Sequence, residues 1–314
     1  MCVFFLGVIM RYILGLMLLL FVLPVFGESI LVLKSKNLTT YDTLITGFSL
    51  ESKAQTEVVS IDDSSYSKDT VLQKIKSTYD VVFAIGDTAL SVAIEQKDKP
   101  VIFAMVLNYE KYPLDSNNVT GVKMNLSVKT QLGVIAALFS NVKNIGVITS
   151  GEDTDEQIKS HQQIASLFGV NLLPIKIENQ ENLAKNLESN GTKADIIWML
   201  PDKVILNPQG FNTLSKYVAQ SKKPLYVLSS GLVEKGGLFS LSPDYLLIGK
   251  QVARITNKII YSKVPIKFVP ISDPDSFNLT LNYSIAKQID VLTTLSPKLL
   301  EFAATKGFTI NVVK

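Results

Sequence analysis

The segment VVFAIGDTAL, residues 81–90, carries the pattern that decides the fold: an apolar strand, a glycine turn and the start of a helix. A glycine directly after a strand lets a ligand or a facing backbone approach closely, and the free N–H groups of a helix N-terminus favour an anion. No second and third glycine follow at the spacing of a dinucleotide-binding fingerprint, and the chain contains no Walker A sequence. The segment therefore indicates a βα unit that presents backbone amides without specifying what they bind.

The same alternation of short β-branched runs and amphipathic stretches occurs throughout the chain, which is typical of βαβ units and parallel sheets. The sequence predicts two sets of four strands, separated by a polar segment. The first set is residues 30–33, 56–60, 81–85 and 101–106, and the second is residues 144–148, 171–175, 195–200 and 224–228. Two sets in series favour two similar sheets over one eight-stranded sheet. We expect an α/β fold with two Rossmann-like lobes, each built on a parallel sheet and joined by a hinge.

The lobe boundaries are placed where the alternation is interrupted, at residues 117–126 and again after Ser230. We expect lobe 1 to comprise residues 28–124 with a return segment at about 241–265. Lobe 2 is expected to comprise residues 125–240 with a C-terminal segment at about 266–314. A tail that returns to both lobes implies several chain crossings between them, which is how a hinge is built.

The first 27 residues have the pattern of a signal peptide. Arg11 is their only charged residue, an apolar run at residues 12–26 follows it, and small residues precede the expected cleavage point after Gly27. Translation from Met10 instead of Met1 would give a shorter leader of the same kind. An uncleaved membrane anchor is the alternative, but the apolar run is shorter than the roughly 20 residues of a membrane-spanning helix. The mature protein is therefore expected in the periplasm.

Composition argues against several kinds of site. The one cysteine, Cys2, lies in the leader, so the mature chain has no thiol for a disulfide, a metal or catalysis. The one histidine, His161, is predicted on the polar face of a helix and is expected to be solvated. We predict no catalytic residue, no metal site and no cofactor. The 31 basic and 28 acidic residues give a net charge of +3, which offers no electrostatic support for nucleic-acid binding.

Candidate ligand-binding residues lie in the loops that follow the strands, because parallel α/β sheets bind ligands beyond the carboxyl ends of their strands. The residues expected to line a cleft from lobe 1 are Ser35, Gly86, Asp87, Thr88 and Asn108. The residues expected to line it from lobe 2 are Ser150, Asp202, Ser229 and Ser230. Each of these loops has a plainer interpretation as an ordinary turn or helix cap.

Two residues of one predicted strand receive a more specific interpretation. Asp202 follows Pro201 just past the end of the strand, where its carboxylate would hold a ligand ammonium group; the alternative is a cap for the following helix. Trp198 lies inside the strand and is expected to pack in the core, with a ligand stack as the alternative. The only arginines are Arg11 and Arg254, so a bidentate arginine clamp on a ligand carboxylate is not expected.

An ordered set of short motifs between about residues 31 and 300 resembles a known family. The motifs include IGDTA at 85–89, PVIFAMVLN at 100–108, NIGV at 144–147, IWMLPD at 197–202 and GGLFS at 236–240. This set resembles the substrate-binding proteins of ABC transporters with the type I periplasmic fold, in the branch of tryptophan- and tyrosine-type aromatic amino acid binders.

The resemblance implies a non-enzymatic, exported solute-binding protein. It would bind a small molecule, such as an aromatic or other amino acid, in the cleft between its lobes and deliver it to ABC permease and ATPase subunits. A monomer is expected. One alternative is a periplasmic ligand-sensing module for a signalling partner, and a second is a two-lobed enzyme of the glycosyltransferase type.

Overall fold

The computed structural model describes residues 27–63, 67–77, 79–114, 118–306 and 308–314, which form two α/β lobes. The predicted leader lies outside the described residues except for Gly27. No helix in the described part of the chain is long and apolar enough to cross a membrane.

Lobe 1 is built on a five-stranded parallel sheet with the strand order β2-β1-β3-β4-β5. Its strands are β1 (Ser29–Lys34), β2 (Gln55–Ser60), β3 (Val81–Ile85), β4 (Val101–Ala104) and β5 (Val119–Gly121). Its first three helices are α1 (Thr39–Glu51), α2 (Lys68–Lys76) and α3 (Asp87–Ala93). Strands β3 and β4 are buried along their whole length, because apolar clusters cover both faces of the sheet.

Lobe 2 is built on a seven-stranded sheet with the order β12-β11-β10-β9-β8-β6-β7. Its strands are β6 (Asn144–Thr149), β7 (Asn171–Lys176), β8 (Ile196–Trp198), β9 (Leu225–Val227), β10 (Phe239–Pro243), β11 (Phe277–Asn282) and β12 (Thr309–Val313). Every pair is parallel except β10 and β11. These two run in opposite directions because the chain leaves lobe 2 along β10 and returns to it along β11.

The remaining helices connect these strands. Those of lobe 2 are α4 (Val128–Leu138), α5 (Glu152–Ser166), α6 (Leu183–Asn190), α7 (Pro208–Gln220), α8 (Ser230–Val233), α10 (Tyr283–Gln288) and α11 (Leu292–Lys306). The long helix α9 (Tyr245–Ile260) belongs instead to lobe 1, where it packs against α1. A Cβ atom on Gly47 would lie 1.9 Å from the carbonyl oxygen of Leu246, so the two backbones touch at this crossing. The close contact fixes the return segment to lobe 1.

Within the described residues the chain passes between the lobes at three places: after β5, after β10 and before β11. The return segment extends from α9 to about Asp275, which is further than the predicted 241–265. The difference arises because β10 stays in the lobe 2 sheet to Pro243, whereas Ser272 pairs with Val122 beside β5 in lobe 1.

A buried glutamine organises the hinge. Gln251 on α9 is 4% exposed; its Nε2 donates to Ser272 Oγ (3.1 Å) and to the carbonyl oxygen of Asp273 (2.9 Å). Its Oε1 accepts a hydrogen bond from the Asp275 N–H at 2.9 Å. Lys123, which follows β5, forms an ion pair with the Asp273 carboxylate at 3.0 Å. The first and third chain passages are therefore tied side by side.

Candidate functional site

A cavity of about 460 Å³ opens in lobe 2 at the carboxyl ends of β8, β9 and β10, beside the hinge. This volume lies in the range of small-molecule sites, about 300–1,000 Å³. Four aromatic or imidazole rings line it: His161, Trp198, Tyr226 and Tyr245. Its polar lining consists of amide and hydroxyl side chains: Asn125, Gln131, Gln157, Ser229, Ser230 and Ser242. In the described part of the chain, no residue that lines this cavity is charged.

A ladder of stacked rings lies beneath the cavity, and two of its members, Trp198 and Tyr226, form the cavity floor. Tyr226 on β9 is the register partner of both Trp198 on β8 and Phe239 on β10, so the three side chains lie on one face of the sheet. The Trp198 and Tyr226 ring centroids are 6.2 Å apart with an interplanar angle of 6°, and those of Tyr226 and Phe239 are 4.8 Å apart at 5°. Trp198 is 1% exposed, which confirms its prediction as a core residue, although it also lines the cavity.

The polar end of Tyr226 connects the floor to the first chain passage. Its hydroxyl donates to Gln131 Oε1 at 2.7 Å, and Gln131 Nε2 donates to the carbonyl oxygen of Leu126 at 3.0 Å. Burial raises the pKa of Tyr226 far above its usual value, so the phenol stays neutral and acts as a donor. The cavity floor is thus hydrogen-bonded to the segment that leads out of lobe 1.

His161 is half-buried, whereas the sequence predicted a solvated residue on the polar face of its helix. Ile158, His161 and Ala165 follow the spacing of one helix face on α5, and Ile158 and Ala165 are buried. The His161 ring stacks on Trp198 with centroids 5.7 Å apart at an angle of 25°. Burial lowers the pKa of His161, and its buried Nδ1 has no hydrogen-bond partner among the described residues. The imidazole is therefore neutral near pH 7 and lines the cavity.

The four predicted residues of lobe 2 divide into two pairs. Ser229 and Ser230 are exposed and line the cavity. Ser150 and Asp202 form a local network instead: the Asp202 carboxylate accepts from the Ser150 N–H (2.8 Å), from Ser150 Oγ (2.9 Å) and from the Val204 N–H (2.9 Å). Asp202 is only 4% exposed. The N-cap of the following helix is Asn207, whose side chain accepts from the Gly210 N–H, so Asp202 is not the helix cap. Its carboxylate instead joins the loops after β6 and β8, and these donors already occupy the oxygens that a ligand ammonium group would need.

In lobe 1, Ser35 and Gly86 build the turn between β3 and α3. The Ser35 hydroxyl donates to the carbonyl oxygen of Ile85 (3.0 Å) and accepts from the Ala89 N–H (2.8 Å). Gly86 has a φ of 87°, and a Cβ there would lie 2.2 Å from Tyr41 Oη. The Tyr41 side chain thus fills the space beside Gly86 in which the sequence predicted a ligand or a facing backbone.

The other lobe 1 candidates lie near a surface ion pair. The Asp87 carboxylate accepts from Lys111 Nζ (2.9 Å) and from the Tyr112 hydroxyl (2.9 Å). Burial raises the pKa of Asp87, but the hydrogen bonds from Lys111 and Tyr112 outweigh it and hold the pKa below its usual value. Thr88 and Asn108 are exposed. None of the five predicted lobe 1 residues lines the lobe 2 cavity as the structure describes it.

Sequence reasoning missed the aromatic and amide part of the site. Gln131, Gln157 and Tyr245 lie on helices rather than in the loops after strands, so a search restricted to strand ends does not reach them. Tyr226 lies inside a strand. The available signal for His161 was its spacing from the apolar residues of α5.

Comparisons with solved structures place the fold. An open, ligand-free substrate-binding protein with adhesive properties from Clostridium difficile is 19% identical with a TM-score of 0.68, over 91% of this chain and 99% of that chain. A putative branched-chain amino acid ABC transporter protein from Rhodospirillum rubrum is 10% identical with a TM-score of 0.50, over 76% and 86% of the two chains. An ABC domain in complex with L-Trp from Streptococcus pneumoniae is 22% identical with a TM-score of 0.48, over 90% and 100%.

The likeness to the Clostridium difficile protein confirms the predicted two-lobed α/β fold of type I periplasmic binding proteins. No curated protein sequence matches the chain. The family model described as "ABC transporter substrate binding protein" matches residues 40–306, which is most of the chain. The chain therefore belongs to the family of ABC transporter substrate-binding proteins.

Proposed function

We propose that this chain is the extracytoplasmic solute-binding component of an ABC importer and that it closes its two lobes on a small molecule. The observation that carries the proposal is the cavity of lobe 2, which lies at the carboxyl ends of three strands and beside the hinge. In α/β sheets this edge is where ligands bind. The leader of residues 1–27 would export the chain to the periplasm, where a permease and an ATPase complete the importer.

Ligand-driven closure is supported by how the cavity is connected to the hinge. The hydrogen bonds from Tyr226 to Gln131 and from Gln131 to Leu126 join the cavity floor to the first chain passage. Gln251 and Lys123 hold the third passage beside the first. A ligand that contacts both lobes binds the closed form more tightly than the open form, and so shifts the population toward closure. In this proposal the exposed lobe 1 residues Thr88 and Asn108 meet the ligand only on closure.

Aromatic amino acids are the first ligand class to test, because the sequence motifs resemble the branch that binds them. An ammonium group of such a ligand would need a partner other than Asp202, whose carboxylate is occupied by Ser150 and Val204. The Asp87 carboxylate in lobe 1 is half-exposed and could bind an ammonium group by exchanging its ion pair with Lys111 for one with the ligand.

A thermal-shift screen of the protein lacking residues 1–27, over amino acids, nucleosides and sugars, tests the proposal. We expect at least one compound to raise the melting temperature. The variant Ser230→Trp fills the mouth of the cavity at an exposed position and should abolish that shift. The matched control, Ser189→Trp, places the same side chain at an exposed position of α6 outside the cavity and should leave the shift unchanged.

A ligand whose shift survives Ser230→Trp would place the binding site elsewhere. Co-purification with a permease and ATPase encoded beside this chain would support transport, whereas co-purification with a sensor kinase instead would support the sensing alternative.

A further inference from the structure

The uncharged lining of the lobe 2 cavity restricts what part of a ligand it accepts. A charge moved from water into a partly closed cleft needs a charged or hydrogen-bonded partner to offset its lost hydration. The cavity offers rings, amides and hydroxyls, and none of its described lining residues is charged. Arg254 is bound to Glu51 and Asp275 at 3.1 and 2.8 Å. Because the described lining offers hydrogen bonds but no opposite charge, it favours an uncharged part of a ligand.

The ring ladder indicates the shape of that part. Phe239, Tyr226 and Trp198 stack almost parallel across three strands, and His161 continues the stack from α5. The side chains of Phe239, Tyr226 and Trp198 are at most 4% exposed, whereas that of His161 is only half-buried. His161 is thus the end of the ladder that a ligand can reach. Aromatic rings add to such a stack at centroid distances of about 4.5–7 Å.

We propose that His161 is a ligand-contacting residue and that the lobe 2 cavity binds a neutral, planar ring, which stacks on His161 at the end of the ladder. This inference rests on the proposed function, since it assigns the ligand's ring to the same cleft. The ring of an aromatic amino acid and a nucleobase share this chemistry. The amides of Gln157 and Asn125 and the hydroxyls of Ser229 and Ser230 would pair with heteroatoms on the ring.

The state of the imidazole suits a neutral ring. Nδ1 is buried without a hydrogen-bond partner among the described residues, so a proton there would leave a buried donor unpaired. The neutral tautomer with its proton on Nε2 leaves Nδ1 as an unpaired acceptor and keeps the buried nitrogen free of a proton and of charge. A cationic imidazole would place protons on both nitrogens and would also bring a charge into an otherwise uncharged lining.

Calorimetry with two matched pairs of probes tests the inference. L-tryptophan is compared with L-alanine, and adenosine with ribose, because the second member of each pair lacks the planar ring. We expect one ring-bearing probe to bind and its ringless partner to bind at least tenfold more weakly. The pair that responds distinguishes an aromatic amino acid from a nucleobase.

Three variants then locate the ring. His161→Ala and His161→Gln remove the stack and should weaken the ring-bearing probe by about 5- to 150-fold, the range for loss of one aromatic stacking partner. His161→Phe keeps a stacking surface and should stay within about threefold of the natural protein. Melting curves of the free variants show that each is folded.

Unchanged affinity in His161→Ala, or retained affinity in His161→Gln with loss in His161→Phe, would overturn the stacking role. A ringless solute that binds best, and whose binding Ser230→Trp abolishes, would remove this inference and leave the proposed function intact. If no compound in the wider screen binds, the proposed function fails with it.

Discussion

Replacing Asp202 with asparagine separates a structural role of this carboxylate from a ligand-binding one. Ser150 follows β6 and Asp202 follows β8, so the carboxylate joins the ends of two neighbouring strands. It accepts from two backbone N–H groups, of Ser150 at 2.8 Å and of Val204 at 2.9 Å, and from the Ser150 hydroxyl. Asparagine offers one acceptor oxygen in place of two, so its amide nitrogen would face one of those N–H groups.

The expected cost follows from these contacts. A hydrogen bond to a charged group contributes about 1.5–3 kcal/mol, and at least one such bond is lost in a site that is 4% exposed. We therefore expect Asp202→Asn to lower the free energy of unfolding by about 1.5–3 kcal/mol. Urea denaturation followed by fluorescence measures it, because the single tryptophan, Trp198, is buried in the same lobe.

Two controls set the scale. Ser150→Ala removes only the hydroxyl, which donates to the same carboxylate, and should also cost about 1.5–3 kcal/mol, the range for a hydrogen bond to a charged group. Asp195→Asn makes the same change before β8, where the carboxylate bonds to the N–H groups of Lys143 and Asn144 at an exposed position, and should cost less than Asp202→Asn. An unchanged free energy of unfolding in Asp202→Asn, together with weaker ligand binding, would refute the structural role of Asp202 and restore the ammonium-binding interpretation.

Three further perturbations test the packing, the hinge and the imidazole. Gly47→Ala should lower the free energy of unfolding by about 1–3 kcal/mol, the range for overpacking, because its Cβ would lie 1.9 Å from the Leu246 carbonyl oxygen. A urea denaturation curve identical to that of the natural protein would contradict this contact. Gln251→Ala removes the hydrogen bonds that hold the third chain passage, before β11, beside the first. It should lower the melting temperature and widen the distribution of lobe separations that small-angle scattering measures for the ligand-free protein. An unchanged scattering profile would exclude a role of Gln251 in the hinge. Burial holds the pKa of His161 in the folded protein below the unfolded value of about 6.5, so the unfolded chain takes up the proton first as the pH falls. The stability that neutral His161 contributes is therefore complete above about pH 6.5. It is lost as the pH falls through the folded pKa. His161→Phe should remove the loss that sets in below about pH 6.5, and identical pH profiles of unfolding for the two proteins would contradict it.

The strands and the two-lobed fold could be predicted from the sequence because short apolar runs alternate regularly with helical patterns. What the sequence does not contain is the order of strands within a sheet. Strand β8 lies beside β6, which places Asp202 against Ser150, 52 residues away. Ser35 likewise meets Ala89 across 54 residues, because β1 lies beside β3. The side chains of Asp202 and Ser35 are therefore hydrogen-bonded to backbone groups that are distant in the sequence, and their neighbours could not be predicted from the sequence alone.

The candidate site was predicted only in part for a related reason. Ser229 and Ser230 line the cavity, as expected for residues at a strand end. A search limited to the loops after strands does not find side chains inside strands or on helices. The ring ladder and Gln131 lie in those places. His161 was recoverable, because Ile158 and Ala165 place it on the buried face of α5. Its polar flanking residues, Ser160 and Gln162, suggested the opposite face.

Closure of the two lobes on a small molecule is tested most directly by small-angle X-ray scattering. The radius of gyration is measured for the protein lacking residues 1–27, alone and saturated with the tightest ligand from the thermal-shift screen. Ser230→Trp, which should not bind, serves as the control. Closure predicts a smaller radius of gyration for the saturated natural protein and no change for the variant. An unchanged scattering profile of the natural protein at confirmed saturation would contradict the account.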